Sequence, residues 1–305
     1  MKFVNIIDYG MVNIITGGTA LFVLISGFLF QYLHAEKFQY ESLLISRFKR
    51  IFLPYIFMTL VAEIIFRDGW SDRSIIALIL KDLFFGDTFQ AYWYVPFILT
   101  MYIFSPAFLL FSRQTTSVQL VIVVILLFLS SLIQRPVEND NVFQSLAFYS
   151  PIYLVGMMVA DNRESLLPIL RSNIILLVLI TLLFVGVQSL NGQTDNMHKA
   201  FFSWGGVDFM GIQKVFLSLT LISIFSFLTV NKNGIVNLIS ETSFAIFFIH
   251  PFILKLSYGT KIFQITGERW VDLVFSVAVV VIVSVSIALL FRYIFKGYSK
   301  FFCGY

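Results

Sequence analysis

The stretch Leu21-Phe22-Val23-Leu24-Ile25-Ser26-Gly27-Phe28-Leu29-Phe30 lies in a run from Val12 to Leu33 that holds no charged side chain. A helix rises about 1.5 Å per residue and a bilayer core is about 30 Å thick, so a run of this length reaches across it. Water is absent there, so every backbone N–H and C=O must find its partner inside the segment, which leaves helix or closed barrel. The run lacks the polar/apolar alternation of a barrel strand. It reads as a transmembrane helix.

Outward from this run the pattern repeats. The apolar runs predict nine spans: Val12 to Leu33, Ile51 to Phe66, Tyr92 to Ser112, Ser117 to Ile133, Val142 to Ala160, Asn173 to Leu190, Phe209 to Val230, Glu241 to Ser257, and Val271 to Phe295. The second, fourth and eighth are short and must borrow interfacial residues. Hydrophobic residues make up 58% of the 305 positions and charged residues only 12%, with Phe used 36 times. A soluble domain carries about 25% charged residues, so this chain has too little polar surface to cover itself in water. The fold class is all-α: a polytopic bundle of about nine membrane helices. Ser74 to Phe85 is amphipathic and predicts an interfacial helix.

The formal charge of +4 does not point to nucleic acid, because the basic residues lie between apolar runs and not on one face. They inform orientation. With the His34–Arg50 loop in the cytoplasm, the inner loops are net basic and the outer loops net acidic. Nine spans then place the C-terminus inside and the N-terminus outside, an arrangement that predicts a further helix upstream. The first run is too long for a signal-peptide core and has no small-x-small cleavage site. Cys303 is the single cysteine and forms no internal disulfide. There is no phosphate loop, no dinucleotide fingerprint and no His/Cys metal set, which argues against ATP-driven transport and a metal cofactor.

Four motifs carry chemistry beside a plainer reading. Ser26-Gly27 either lets two helices approach closely or lines a polar cavity with its hydroxyl. Arg47 and Arg50 stand three apart on one helical face; they either anchor the inner end of a span or clamp phosphates. Trp93-Tyr94 begins a span, as an aromatic belt or as a stacking surface for sugar rings. His250 sits inside an apolar run, next to Pro251 and seven residues after Ser243. An ionisable group inside a membrane is expensive, and imidazole suits acid/base work near neutral pH. The plainer reading is a His hydrogen-bonded to a neighbouring helix. Glu63 and Arg67, four apart, read as a local ion pair, and Lys214 as a snorkelling side chain beside Asp208.

Taken in order, these pieces resemble the acyltransferase family 3 membrane proteins, which acylate sugars and surface polysaccharides. The matching stretches are Phe22 to Phe30, Arg47 to Tyr55, Trp93 to Phe97 with Met101 to Pro106, Tyr153 to Met157, and Ser243 to Pro251. The resemblance covers essentially the whole chain. It implies ten helices, with both termini cytoplasmic, in the bacterial inner membrane. It also implies a first helix with an Arg and, about ten residues later, a catalytic His. Only about 11 residues precede the first span here, and they hold neither Arg nor His. The chain is therefore similar to a member lacking that helix.

The resemblance implies transfer of an acyl group, most often acetyl, from cytoplasmic acyl-CoA to a hydroxyl of a glycan or glycolipid. Arg47 and Arg50 would meet the phosphates of the donor. Ser26 and His250 would be supporting groups of the central cavity, and Trp93 and Tyr94 would lie near the acceptor. Two other classes stay open: a glycan or lipid carrier without chemistry, and a non-catalytic partner of an active homologue.

Overall fold

The computed structural model describes every residue except 1, 35–37, 68–74, 138–140, 228–233, 259, 261 and 305; of residues 2–5 and 75 only the backbone is described. The described chain is helical, and an isolated bridge between Arg135 and His198 is its one extended pairing. In chain order the helices are α1 (Lys2–Ile15), α2 (Thr19–His34), α3 (Tyr40–Arg47), α4 (Leu53–Phe66), α5 (Ile75–Phe85), α6 (Tyr94–Ile103), α7 (Ser105–Ser112) and α8 (Thr116–Ile133). They continue as α9 (Val142–Asp161), α10 (Arg163–Ser172), α11 (Ile174–Leu190), α12 (Met210–Phe225), α13 (Ile235–Ser257), α14 (Arg269–Phe295) and α15 (Ser299–Phe302). A π-helical turn, Phe48–Phe52, joins α3 to α4. The chain forms two bodies: residues 1–40 with 100–230, and residues 41–99 with 231–305.

Five stretches among the described residues are long and apolar enough to cross a membrane: Ile6–His34, Thr116–Ile133, Val142–Asp161, Ile235–Ser257 and Arg269–Phe302. Two bent pairs raise the number to 7 when each is taken as one span. The α6–α7 pair bends by 62° at Ser105-Pro106, where proline has no N–H to continue the preceding turn. The α10–α11 pair bends by 75° at Asn173, whose backbone N–H and side-chain amide both donate to Ile169 O, at 3.1 and 2.8 Å. The all-α membrane bundle read from the sequence is thus present, and the remaining short runs among the described residues, α4 and α12, are helical too. Helix α4 has 14 residues but continues α3 and the π-helical turn without a break, so the helical segment is Tyr40–Phe66, and α12 is a shorter apolar helix of 16 residues. Helix α12 opens at Met210, one residue after the predicted start, where Asp208 accepts the Met210 N–H at 2.8 Å.

In the first body, α2 and α9 touch backbone to backbone. A Cβ on Gly27 would stand 2.0 Å from Tyr153 O, and one on Gly156 would stand 2.0 Å from Leu24 O. The two glycines answer each other across one contact, the arrangement by which membrane helices gain close packing. The run read as one helix from Val12 to Leu33 is in fact interrupted. Gly17 takes φ +68°, so the carbonyls of Asn13 and Ile14 lose the N–H groups that would follow them in an unbroken helix. Lys214 Nζ supplies the replacement, donating to both carbonyls at 2.8 Å. It is 0% exposed, so the expected snorkelling lysine is instead an internal cap on the negative end of α1.

The second body is built on rings. Tyr55, Phe66, Phe89, Tyr92, Phe248 and Phe252 meet at centroid distances between 4.9 and 5.9 Å. Two buried hydroxyls tie helices together across this cluster: Tyr92 donates to Phe248 O at 2.8 Å, and Tyr55 to Leu83 O at 2.9 Å. The amphipathic helix predicted over Ser74 to Phe85 is present as α5, with Ile76, Leu80 and Phe84 exposed.

Candidate functional site

His250 lies in the middle of α13, a helix long and apolar enough to cross a membrane. The next residue, Pro251, has no N–H, so the Phe247 carbonyl loses its partner and the helix is loosened at this point. The His250 ring turns back along its own helix, with Nδ1 3.0 Å from Ile246 O. When Nδ1 donates to that carbonyl, Nε2 carries the lone pair, which is the tautomer a base requires. The ring is half-buried and sits 6.2 Å from Phe247. Ser243, seven residues earlier, is exposed and bonded to Ser240 O of its own helix at 2.8 Å.

Phe247 links His250 to the aromatic motif. The Tyr94 ring lies 5.9 Å from Phe247, and Trp93 and Tyr94 each pack on Phe97. Trp93 is buried and Tyr94 half-buried, so these rings are part of the packing of the second body around α13. Their position is fixed by a close approach: at Gly86, φ +76°, a Cβ would stand 2.4 Å from Trp93 Cα.

Arg47 closes α3, half-buried, and Arg50 is exposed in the π-helical turn beside Lys49. Such π segments recur at functional positions. Ser26 belongs to the other body, half-buried on α2 next to the packed Gly27.

Two polar clusters were not legible as such. The pair read as Glu63–Arg67 is a triad, in which Arg67 binds both Glu63 and Asp82 and so ties α4 to α5. Burial and the Glu63 charge push the Asp82 carboxyl above its ordinary range, against the pull of Arg67. An open cavity of about 230 Å³ lies over this triad, lined also by Phe66, Asp87, Thr88, Phe89 and Lys255. In the first body, Asp208 is 0% exposed and accepts from Met197 N at 2.9 Å and Gln193 Nε2 at 3.0 Å. Burial holds its carboxyl above the ordinary range even so. The described residues hold no group of three or more His, Cys, Asp or Glu able to bind a metal ion.

An all-helical integral membrane protein with an imidazole set in an apolar helix and basic residues at a π-helical turn is the class these features define. The chain belongs to acyltransferase family 3: the family model of its acyltransferase domain matches residues 2–289. The protein is therefore an acyltransferase. No curated protein and no solved structure matches it.

Proposed function

We propose that this protein is a membrane-bound O-acyltransferase that moves an acyl group, acetyl in the usual case, from acyl-CoA to a hydroxyl of a glycan or glycolipid. The observation that carries the reading is the family match over residues 2–289. The geometry around His250 supports it. An imidazole anchored through Nδ1 leaves Nε2 to hold an acceptor hydroxyl in place, the part of a supporting group and not of the family's first-helix catalytic His. The hydroxyl oxygen attacks the thioester carbonyl carbon, the C–S bond breaks, and coenzyme A leaves as a thiolate that takes up the proton. Holding both reactants in line contributes through proximity. Arg47 and Arg50 are assigned to the phosphates of the donor on the cytoplasmic face, Ser26 to the cavity lining, and Trp93 and Tyr94 to the acceptor side.

The test uses purified protein in nanodiscs with radiolabelled acetyl-CoA and a lipid-linked glycan acceptor. Label on the glycan, lost in His250→Ala, supports the reading. Glycan movement without label identifies a carrier instead. Label transfer undiminished in Arg50→Ala would remove the donor assignment.

A further inference from the structure

The residues after α14 fold back on the second body. Lys296 leaves α14 with φ +48°, a left-handed conformation that a lysine holds only where its surroundings impose it. Here packing imposes it. The Phe302 ring stands between two others, 4.5 Å from Phe295 at the end of α14 and 4.9 Å from Phe57 of α4. Cys303 is buried, and at Gly304, φ +78°, a Cβ would stand 2.8 Å from Phe244 Cδ1 of α13. Residues 296–304 thus form a hook that ties α4, α13 and α14 together.

The hook closes at a particular place. Its helix α15 packs on α4 and on the π-helical turn Phe48–Phe52, which carries Arg50. A π winding is a rare alternative to the α-helix, so what packs on it decides where its side chains stand. At the other end of the hook, Phe244 lies 5.6 Å from Phe248 and 6.3 Å from Phe247, the ring beside His250. One short segment therefore touches both the element assigned to the donor and the helix that carries the imidazole.

We infer that the hook is a positioning element: it holds the π-helical turn, and with it Arg50, at a fixed place relative to α13. Its effect on the donor rests on the assignment of Arg50 to the donor phosphates; its docking does not.

Cys303 is the single cysteine, so its rate of reaction with a water-soluble maleimide reports undocking of the hook directly. Two substitutions at one position separate the path of the hook from its side chains. Lys296→Pro fixes φ at about −65° and denies the hook its path, whereas Lys296→Gly adopts a positive φ freely. Both remove the same charge, and neither removes a packed ring. Phe302→Ala releases the hook by a second route. All are measured in nanodiscs with desulfo-coenzyme A, which carries the phosphates and no thiol to consume the maleimide. Lys296→Pro and Phe302→Ala should label Cys303 faster and bind about tenfold more weakly, the loss expected for one hydrogen bond to a charged partner. Lys296→Gly should label and bind as the wild type does. By reciprocity, desulfo-coenzyme A should slow the labelling of wild-type Cys303. In turnover with acetyl-CoA, Lys296→Pro should raise KM for the donor and spare kcat. A hook that serves stability alone would lower the melting temperature of Lys296→Pro and leave its Kd unchanged, and that result overturns the inference. Labelling at the wild-type rate in both undocking variants overturns it too. If the wild type binds no desulfo-coenzyme A and transfers no label, the transferase reading falls and the hook's part in it falls with it. If the wild type binds and the undocked variants bind equally well, the hook alone falls.

Discussion

Replacing Gly27 by Ala tests the contact on which the first body is built. The added methyl would begin 2.0 Å from Tyr153 O, 2.9 Å from Tyr153 C and 3.1 Å from Tyr153 Cα. All three are backbone atoms, so no rotamer change relieves the clash. Reaching ordinary contact near 3.4 Å requires α2 and α9 to separate by more than 1 Å, and a gap of that size forfeits a quarter to a half of each dispersion contact along the interface. Overpacking of this kind costs about 1–3 kcal/mol, and a backbone clash belongs at the upper end, about 3 kcal/mol. For a chain of this size that lowers the melting temperature by about 6–12 °C. The assay is thermal unfolding in detergent, followed by the loss of the monodisperse peak in size-exclusion chromatography. Gly186→Ala on α11 is the matched control. It meets nothing within 4 Å and should be neutral or slightly stabilising. Gly156→Ala meets the same contact from the other side, and once one methyl has pushed the helices apart the second costs less, so the double variant should fall short of additivity. Equal stability of Gly27→Ala and Gly186→Ala would refute the backbone contact.

Three further outcomes follow from the buried polar groups. Lys214→Met keeps the stem but strips the Asn13 and Ile14 carbonyls of their donor, at about 1–3 kcal/mol for each unsatisfied group; hydrogen exchange at the end of α1 should rise more than elsewhere. Arg67→Leu leaves the Glu63 and Asp82 carboxylates facing each other, so the protein should melt earlier than wild type, and adding Glu63→Gln should restore most of the loss. Asp208 and Asp82 hold their protons more tightly folded than unfolded. Their charged forms therefore weaken the fold at neutral pH, and the melting temperature should rise as pH falls from neutral through their raised range. The rise should shrink in Asp208→Asn.

What was legible in the sequence was whatever a bilayer writes into local composition. Length and apolar character alone located α8, α9, α13 and α14, and the amphipathic pattern located α5. Breaks with a local chemical cause were within reach too: Pro106 ends α6, and Gly17 stands where α1 stops. What composition does not carry is the identity of a partner far along the chain. Lys214 reads as a snorkelling residue near a helix end because nothing around it names Asn13 and Ile14 as its acceptors, some 200 positions earlier. The Glu63–Arg67 spacing suggests a pair, but the third member, Asp82, arrives only because α5 folds back onto α4. Hydropathy sees the apolar run of α12, but not that Asp208, which takes up the Met210 N–H of its first turn, is itself held by Gln193 and Met197.

The motif residues divide along the same line. Ser26-Gly27 admitted packing or a polar lining, and the structure gives the glycine to packing outright, with the serine fixed beside it. Trp93-Tyr94 reads as an interfacial belt from its place at the start of a span. In the fold these rings also pack through Phe97 and Phe247 around the helix that carries His250, an arrangement compatible with a belt and with a stacking surface. A substitution of Trp93 should therefore disturb the setting of His250 through Phe97, Tyr94 and Phe247, whatever it does to an acceptor. The separation is kinetic: an acceptor contact alone raises KM for the acceptor, whereas a displaced His250 lowers kcat at saturating acceptor. Trp93→Phe retains ring packing without the indole N–H. If it raises KM and spares kcat, Trp93 touches the acceptor, and if Trp93→Ala alone lowers kcat, its part is to hold α13.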